Sequence, residues 1–504
     1  MKNPFKTLNV VLNFMGSLLI VLGFIMLIPI IIVLIYGEFK TGYTTLFSFL
    51  AASSLALLLG WIFLRFFKSG STNPVQAIFI CSLGWIIVSA VGAIPFVIAI
   101  KSNYLNAYFE TMSGFTTTGI TMFSGLDSMP KSILFWRSLT QWVGGLGILT
   151  FFIAVMSHAG GAHKLFGAES HKIQTHRPVP GLKNTVKILW AIYIIYTLFI
   201  FINLTIAGSS VFDSVCHSFT VLSTGGFSPY DASIAHYQQI GHPHYIWIEY
   251  IFILGMLLGG TNFLIHFRVL RGDFKALHDN LEIRYWFGFI GLFVGLILLE
   301  RFLNLIPHHE LTKNFWKTLE MNFRNTLFQV SAIITTTGFG TVDIGSRFFG
   351  HMAKQLFLIM MVIGGCVGST GGGFKVLRIG ILIKLIKREI QRVFTPRKGV
   401  SQVVIDKKII DKDEIYRVSA LFFMWIGLLV FGGLVTALLS HHDSYSSFSG
   451  MFSALGNIGP CYIPVNEMVL LHPIIKIVYI FGMLAGRLEI LPVLLLFSRK
   501  AWIY

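Results

Sequence analysis

Residues 335–340 read TTTGFG, and residues 116–121 read TTTGIT. Neither run continues a helix well, because Thr loses χ1 freedom there and Gly costs backbone entropy. Two looser copies follow the same plan. They are Ser223-Thr224-Gly225-Gly226-Phe227 and Gly456-Asn457-Ile458-Gly459-Pro460. Each time a small or polar stretch leads to one glycine, and a bulky or rigid residue follows. The four glycines, Gly119, Gly226, Gly338 and Gly459, are spaced by 107, 112 and 121 residues.

The surroundings are those of a membrane protein. Of 504 residues, 54% are hydrophobic and 12% charged, against about 25% charged in a soluble domain. Apolar runs long enough to span a bilayer lie near 10–36, 44–67, 76–100, 133–157, 186–207, 245–267, 285–306, 354–386, 416–440 and 469–498, since a span needs about 20 residues. The first run is too long for a signal-peptide core and is expected to be retained. With both termini on the cytoplasmic side, inner segments hold 27 of the 39 basic residues. The positive-inside rule therefore fixes the orientation. The net charge of +17 is then a topology signal with a secondary attraction to anionic lipid, and needs no nucleic acid. Cys81, Cys216, Cys366 and Cys461 form no metal-ligand spacing and read as small apolar residues.

Each glycine loop follows a semi-apolar stretch too short to span, at 105–117, 211–224, 320–336 and 445–457. The repeating order is span, short re-entrant helix, loop, span. All four units share one orientation, as parallel repeats about an axis along the membrane normal. The expected architecture is all-α, with ten transmembrane helices and four re-entrant pore helices around a pseudo-fourfold pore. Its parts are a two-helix extension at 1–70, repeats at 71–158, 185–270, 283–390 and 415–504, and a basic linker at 391–414.

Non-helical backbone is tolerated at membrane depth only where it is buried or lines a water-filled path. Four such loops around one axis would turn carbonyls to a shared centre, where they replace the hydration shell of a monovalent cation. Threonine hydroxyls would add acceptors. The short helices would aim their partly negative C-terminal ends at the axis. The candidate ligand segments are Thr117, Thr118, Gly119 and Ile120; Thr224, Gly225, Gly226 and Phe227; Thr336, Thr337, Gly338 and Phe339; and Asn457, Ile458, Gly459 and Pro460.

With these motifs in place, the whole chain from residue 10 onward resembles the Trk/Ktr/HKT superfamily of cation transporters, and its two extra N-terminal spans are similar to the Trk-type membrane subunit. The resemblance implies K+ uptake across a bacterial inner membrane and a homodimeric membrane subunit. It also implies a cytosolic ring of nucleotide-binding (NAD, ATP or ADP) regulatory subunits, which would hold the only nucleotide. Glycine at all four filter positions goes with K+ in that superfamily, and serine in the first loop with Na+. A Na+ or mixed Na+/K+ pathway on the same scaffold is the alternative. Cys461 stands where the superfamily leads one to expect glycine, and should affect the outer mouth.

The run 354–386 is too long for one straight span, about 50 Å at 1.5 Å per residue. Its middle holds Gly364, Gly365, Cys366, Gly368, Ser369, Thr370, Gly371, Gly372, Gly373 and Lys375. Six glycines there break the helix. A phosphate loop is excluded, because Gly373 is followed by Phe374-Lys375 and no strand precedes. The expectation is an intramembrane gating loop under the third filter segment, and the resemblance agrees. Arg487 lies inside the last run, where a charge is costly and faces the bundle interior. It is expected either to pair with Glu489 or to stand in the pore against that loop. Gly144, Gly145, Gly147, Gly255, Gly259 and Gly260 read as helix-packing positions. His158, His163, His171 and His176 match no ligand spacing. The basic stretch from Lys375 to Arg417 reads as a topology anchor or a docking site for a soluble regulator. No nucleophile–base pair supports an intramembrane enzyme.

Overall fold

A computed structural model describes residues 4–40, 42–70, 73–158, 182–305, 314–394, 396, 401–406 and 408–503. His163, His171 and His176 lie outside them. Among the described residues, regular structure is helical apart from a short hairpin pairing Val404–Ile405 with Lys408–Ile409, in the basic linker, and one isolated bridge between Ile363 and Phe374.

Among the described residues, six helices are long and apolar enough to cross a membrane: Leu8–Ile35, Thr44–Phe66, Val75–Ala99, Lys187–Ile206, Leu281–Asn304 and Lys412–Leu439. A seventh counts if Tyr245–Gly260 and Phe263–Leu270, bent by 107°, form one span. So the apolar runs do not each become one straight helix. The bend falls at Thr261-Asn262, where the Asn262 side chain accepts from the Leu264 backbone N–H at 2.8 Å and starts a new helix. The run 354–386 splits into His351–Val362 and Val376–Val393, and the last run splits at Glu489 into Pro473–Leu488 and Ile490–Leu495.

The four semi-apolar stretches form the helices Tyr104–Phe115, Val211–Leu222, Phe315–Ile334 and Ser444–Gly456. Twelve residues reach about 18 Å, well short of the roughly 30 Å hydrocarbon thickness. Side chains of Asn103, Ser210 and Asp443 cap three of the N-termini. The third helix is longer than its sequence suggested, at 20 residues. The added residues 315–319 extend its outer end, and just inside them Glu320 Oε1 accepts from Arg324 Nε at 2.7 Å, an i,i+4 pair.

Packing follows a cyclic order. Each of these four helices touches the two long helices of its own unit, and each also touches the second long helix of the unit before it. The second packs on Lys131–His158, the third on Tyr245–Gly260, and the fourth on His351–Val362. The first packs on Pro473–Leu488 of the fourth unit, which closes the circle. The two N-terminal helices stand beside this ring. They cross closely at Gly16 and Gly60, where a Cβ on Gly16 would lie 2.9 Å from the Gly60 carbonyl oxygen.

Candidate ion pathway

Where the four short helices end, their backbones do the same thing. In the first, Thr117 N donates to Gly114 O at 3.0 Å and Thr118 N donates to Ser113 O at 2.8 Å. This is a Schellman termination, in which the residue after the cap must be left-handed. The other three repeat it. Thr224 donates to Val221 and Gly225 to Thr220, Thr336 to Ile333 and Thr337 to Ala332, Asn457 to Ala454 and Ile458 to Ser453. The left-handed residues are Thr117, Thr224, Thr336 and Asn457, with φ of 53°, 53°, 58° and 53°. Asn tolerates this region, but a β-branched Thr there is an outlier that costs roughly 1–3 kcal/mol. Such cost is retained where surroundings over-determine it.

Two residues later each loop turns left-handed again, at Gly119, Gly226, Gly338 and Gly459, with φ of 86°, 79°, 86° and 105°. Alternating hands turn successive peptide groups the same way. The glycines also meet their neighbours in a circle. A Cβ on Gly119 would overlap the carbonyl oxygen of Gly225, one on Gly226 that of Thr337, and one on Gly338 that of Ile458. A Cβ on Gly459 would lie 3.2 Å from the Thr118 carbonyl oxygen. Each loop thus reaches the residue before the glycine of the next, and the fourth returns to the first.

The circle is not perfectly even. The Gly225 carbonyl also accepts from the Gln141 side-chain amide at 2.6 Å, and the same amide's oxygen accepts from Phe227 N at 3.0 Å. A side chain at 225 would collide with Gln141. This explains glycine where the first and third loops have threonine. There the side chains fold back, with Thr116 Oγ1 and Thr118 Oγ1 2.8 Å apart and Thr335 Oγ1 and Thr337 Oγ1 2.7 Å apart. Ile120, Phe227 and Phe339 follow the ring as buried residues. Phe339 stands edge-on to Phe252 at 5.0 Å. Pro460 is followed by Cys461, whose Sγ donates to Ile463 O at 3.5 Å.

Below the ring lies the segment 363–375. Its ends meet through Gly364 N to Phe374 O at 2.9 Å and Phe374 N to Val362 O at 3.2 Å. Thr370 Oγ1 contacts Leu222 O and Gly259 O at 3.0 Å each, and accepts from Thr224 Oγ1 at 3.3 Å. Gly372 N donates to Thr336 Oγ1 at 2.7 Å. Thus the segment bonds to the left-handed threonines of two loops. It docks into the bend of the second unit as well, through Cys366 N to Gly260 O at 3.0 Å, Thr370 N to Gly259 O at 3.2 Å and Phe263 N to Gly368 O at 3.1 Å. Gly259 and Gly260 therefore do more than pack helices, because they offer carbonyls that the bend has freed. Gly365 O accepts from Val376 N at 3.4 Å. Ser369 Oγ donates to Cys366 O at 2.6 Å and accepts from Gly371 N at 3.2 Å. Lys375 Nζ donates to the Gly371 carbonyl.

Arg487 is buried beside this segment. Its guanidinium donates to the Thr370 carbonyl, and to the Gly144 carbonyl at 3.4 Å. It therefore joins the fourth unit's last span to both the segment and the first unit. Glu489 pairs with Arg378, just beyond the segment. Glu489 itself has φ 66°, which interrupts the span.

Sequence reasoning missed Gln141, Asn262 and a buried pair, Glu110 with Arg137. The signal for the pair was present. Arg137 lies within an apolar run, and the rule that singled out Arg487 applies to it equally.

The family profile for TrkH, described as a cation transport protein, matches residues 70–502. The chain is 31% identical over 493 residues to the Trk system potassium uptake proteins TrkH of Salmonella typhimurium and Escherichia coli, which spans 97% of this chain and 98% of each relative. The crystal structure of the potassium transporter TrkH from Vibrio parahaemolyticus matches with a TM-score of 0.84 at 28% identity, over 98% of this chain and 99% of that one.

Proposed function

The chain belongs to the TrkH family of cation transport proteins, and on that premise we propose that it takes up K+ through the ring formed by its four glycine loops. It is a multi-pass membrane protein. The observation that carries the reading is the circle of close approaches at Gly119, Gly226, Gly338 and Gly459. A closed ring of backbone oxygens suits a monovalent cation stripped of water. On this account Thr117–Ile120, Thr224–Phe227, Thr336–Phe339 and Asn457–Pro460 are the selectivity filter of four membrane repeats. Ten spanning segments, some broken, surround four pore helices.

The segment from Gly364 to Lys375 is the gate. Its bonds to Thr224, Thr336 and Leu222 support this role. Arg487 places a fixed positive charge against the gate and opposes a cation there while the segment stays docked. The helix Val376–Val393 leads from the gate into the basic linker. It carries exposed Ile386, Ile390 and Val393. We assign this helix as the contact through which a cytosolic, nucleotide-binding ring of regulatory subunits would move the gate. The membrane subunit is taken as a homodimer in a bacterial inner membrane, with both termini cytoplasmic.

The test is cation uptake into vesicles holding the purified chain, with and without a cytosolic partner. K+ and Rb+ should enter in preference to Na+. Equal entry of Na+ and K+ would favour the mixed pathway, and absence of cation flux under both conditions would refute the reading.

A further inference from the structure

Every loop is tied back to its own short helix just beyond the ring, but by different chemistry. In the second unit His217 Nε2 meets Ser228 Oγ at 3.2 Å. In the third, Thr341 Oγ1 donates to Asn325 Oδ1 at 2.9 Å. In the fourth, Tyr462 N donates to Ser449 Oγ at 2.9 Å. Those ties are neutral groups or a histidine, and further along the second loop Tyr230 Oη donates to the Asp213 carboxylate of the same short helix at 2.8 Å, but none of them includes an arginine that reaches the next loop. The first is a buried ion pair. Glu110, 1% exposed, accepts from Thr121 Oγ1 at 2.9 Å, from Met122 N at 2.7 Å and from Arg137 Nε at 2.8 Å.

Arg137, 2% exposed, then reaches further. Its Nη2 donates to Thr121 Oγ1 at 3.2 Å and its Nη1 donates to Ser228 O at 3.0 Å. Its guanidinium carbon lies 4.2 Å from the centre of the Phe227 ring. Phe227 and Ser228 directly follow Gly226. One planar cation therefore holds the exits of two adjacent filter loops in register. A guanidinium has the fixed fork of donors for this, and an ammonium does not. Charge-assisted bonds in a dry setting are also the stiffest available.

We propose that Glu110 and Arg137 are positioning residues for ion selection, a charged clamp that fixes the first and second filter loops relative to each other. The assignment rests on the filter reading above and adds the residues that set its width on one side. Neither side chain touches the ion. They act through Thr121, Met122, Phe227 and Ser228.

The test compares uptake of Rb+ and Na+ into vesicles by the full chain and four variants, each normalised to folded protein. Thr121→Val removes the hydroxyl shared by both clamp members at a half-buried site, and Thr121→Ser keeps it. Glu110→Gln weakens the clamp itself. Glu249→Gln weakens another buried pair, Glu249 with Arg324, which joins the Tyr245–Gly260 helix to the third short helix. Thr121→Val and Glu110→Gln should lower the Rb+ over Na+ preference several-fold and raise the half-saturating Rb+ concentration more than they change the maximal rate. Thr121→Ser should match the parent. Glu249→Gln should lower thermal stability and leave the preference intact. If Glu249→Gln shifts the preference as much as Glu110→Gln does, the effect is general destabilisation and the assignment falls. It falls too if Thr121→Val is indifferent in a selective parent. A parent that does not discriminate Rb+ from Na+ refutes the filter reading itself, which is a different result.

Discussion

The outer and inner halves of the bundle obey different rules. On the outer side four segments, two reading TTTG and two only loosely similar to it, share one backbone. Thr117, Thr224, Thr336 and Asn457 have φ within a few degrees of each other, and the glycines after them close a circle. On the inner side no two second spans agree. Lys131–His158 is continuous, the second bends by 107°, the third is interrupted by 363–375, and the fourth breaks at Glu489. Equivalence is kept where an ion would have to meet equal ligands from all sides. It is abandoned below the ring, where the segment 363–375 of one unit bonds to the left-handed threonines of two loops.

The sharpest way to break this comparison is at the outer ring. Gly338→Ala and Gly226→Ala should each abolish uptake, by at least about a hundredfold, since left-handed strain of roughly 1–3 kcal/mol adds to overlap with a carbonyl oxygen. Gly459→Ala should be milder, because its methyl would lie 3.2 Å from the Thr118 carbonyl. Equal, small losses at all three in a vesicle uptake assay would deny that the circle is tight. The next effect concerns the inner half. Arg487→Ala should raise basal K+ flux by roughly tenfold, the worth of a buried charged hydrogen bond. Unchanged flux at equal expression would remove Arg487 as a barrier.

How much of this could be read from the chain depends on which force dominates locally. The four glycines were legible because their spacing is regular and no helix tolerates the runs around them. The break at 364–373 was legible for the same reason, since six glycines in ten residues leave no alternative. The left-handed threonines were not. Propensity argues against Thr at that position, and only the Schellman bonds of the short helices force it. The bend at Thr261-Asn262 was hidden by an apolar run that continues on both sides. Its cause is long-range, because Gly259 and Gly260 give their carbonyls to Thr370 and Cys366, more than a hundred residues later. Gln141 was likewise silent, since only the structure brings it to Gly225.

Two further changes sharpen the comparison. Gly119→Ser should cut total uptake, because its Cβ would overlap the Gly225 carbonyl oxygen, and should shift the remaining flux toward Na+, measurable as a fall in the K+ over Na+ uptake ratio. A ratio that stays intact would remove the first loop from selection. Thr370→Val should raise basal flux about fivefold, by the loss of roughly 1 kcal/mol of hydrogen bonding to Leu222 and Gly259. The same assay should show less change for Ser369→Ala, whose hydroxyl bonds stay within the segment.

The central claim is that the four loops make one ion site. Anomalous diffraction from crystals grown in Rb+ tests it most directly. The account predicts a Rb+ peak on the axis between Gly119, Gly226, Gly338 and Gly459, ringed by the carbonyls of Thr118, Thr337 and Ile458, with Gly225 as the fourth side. Rb+ bound only elsewhere in the protein, with that axis empty at saturating concentration, would contradict it.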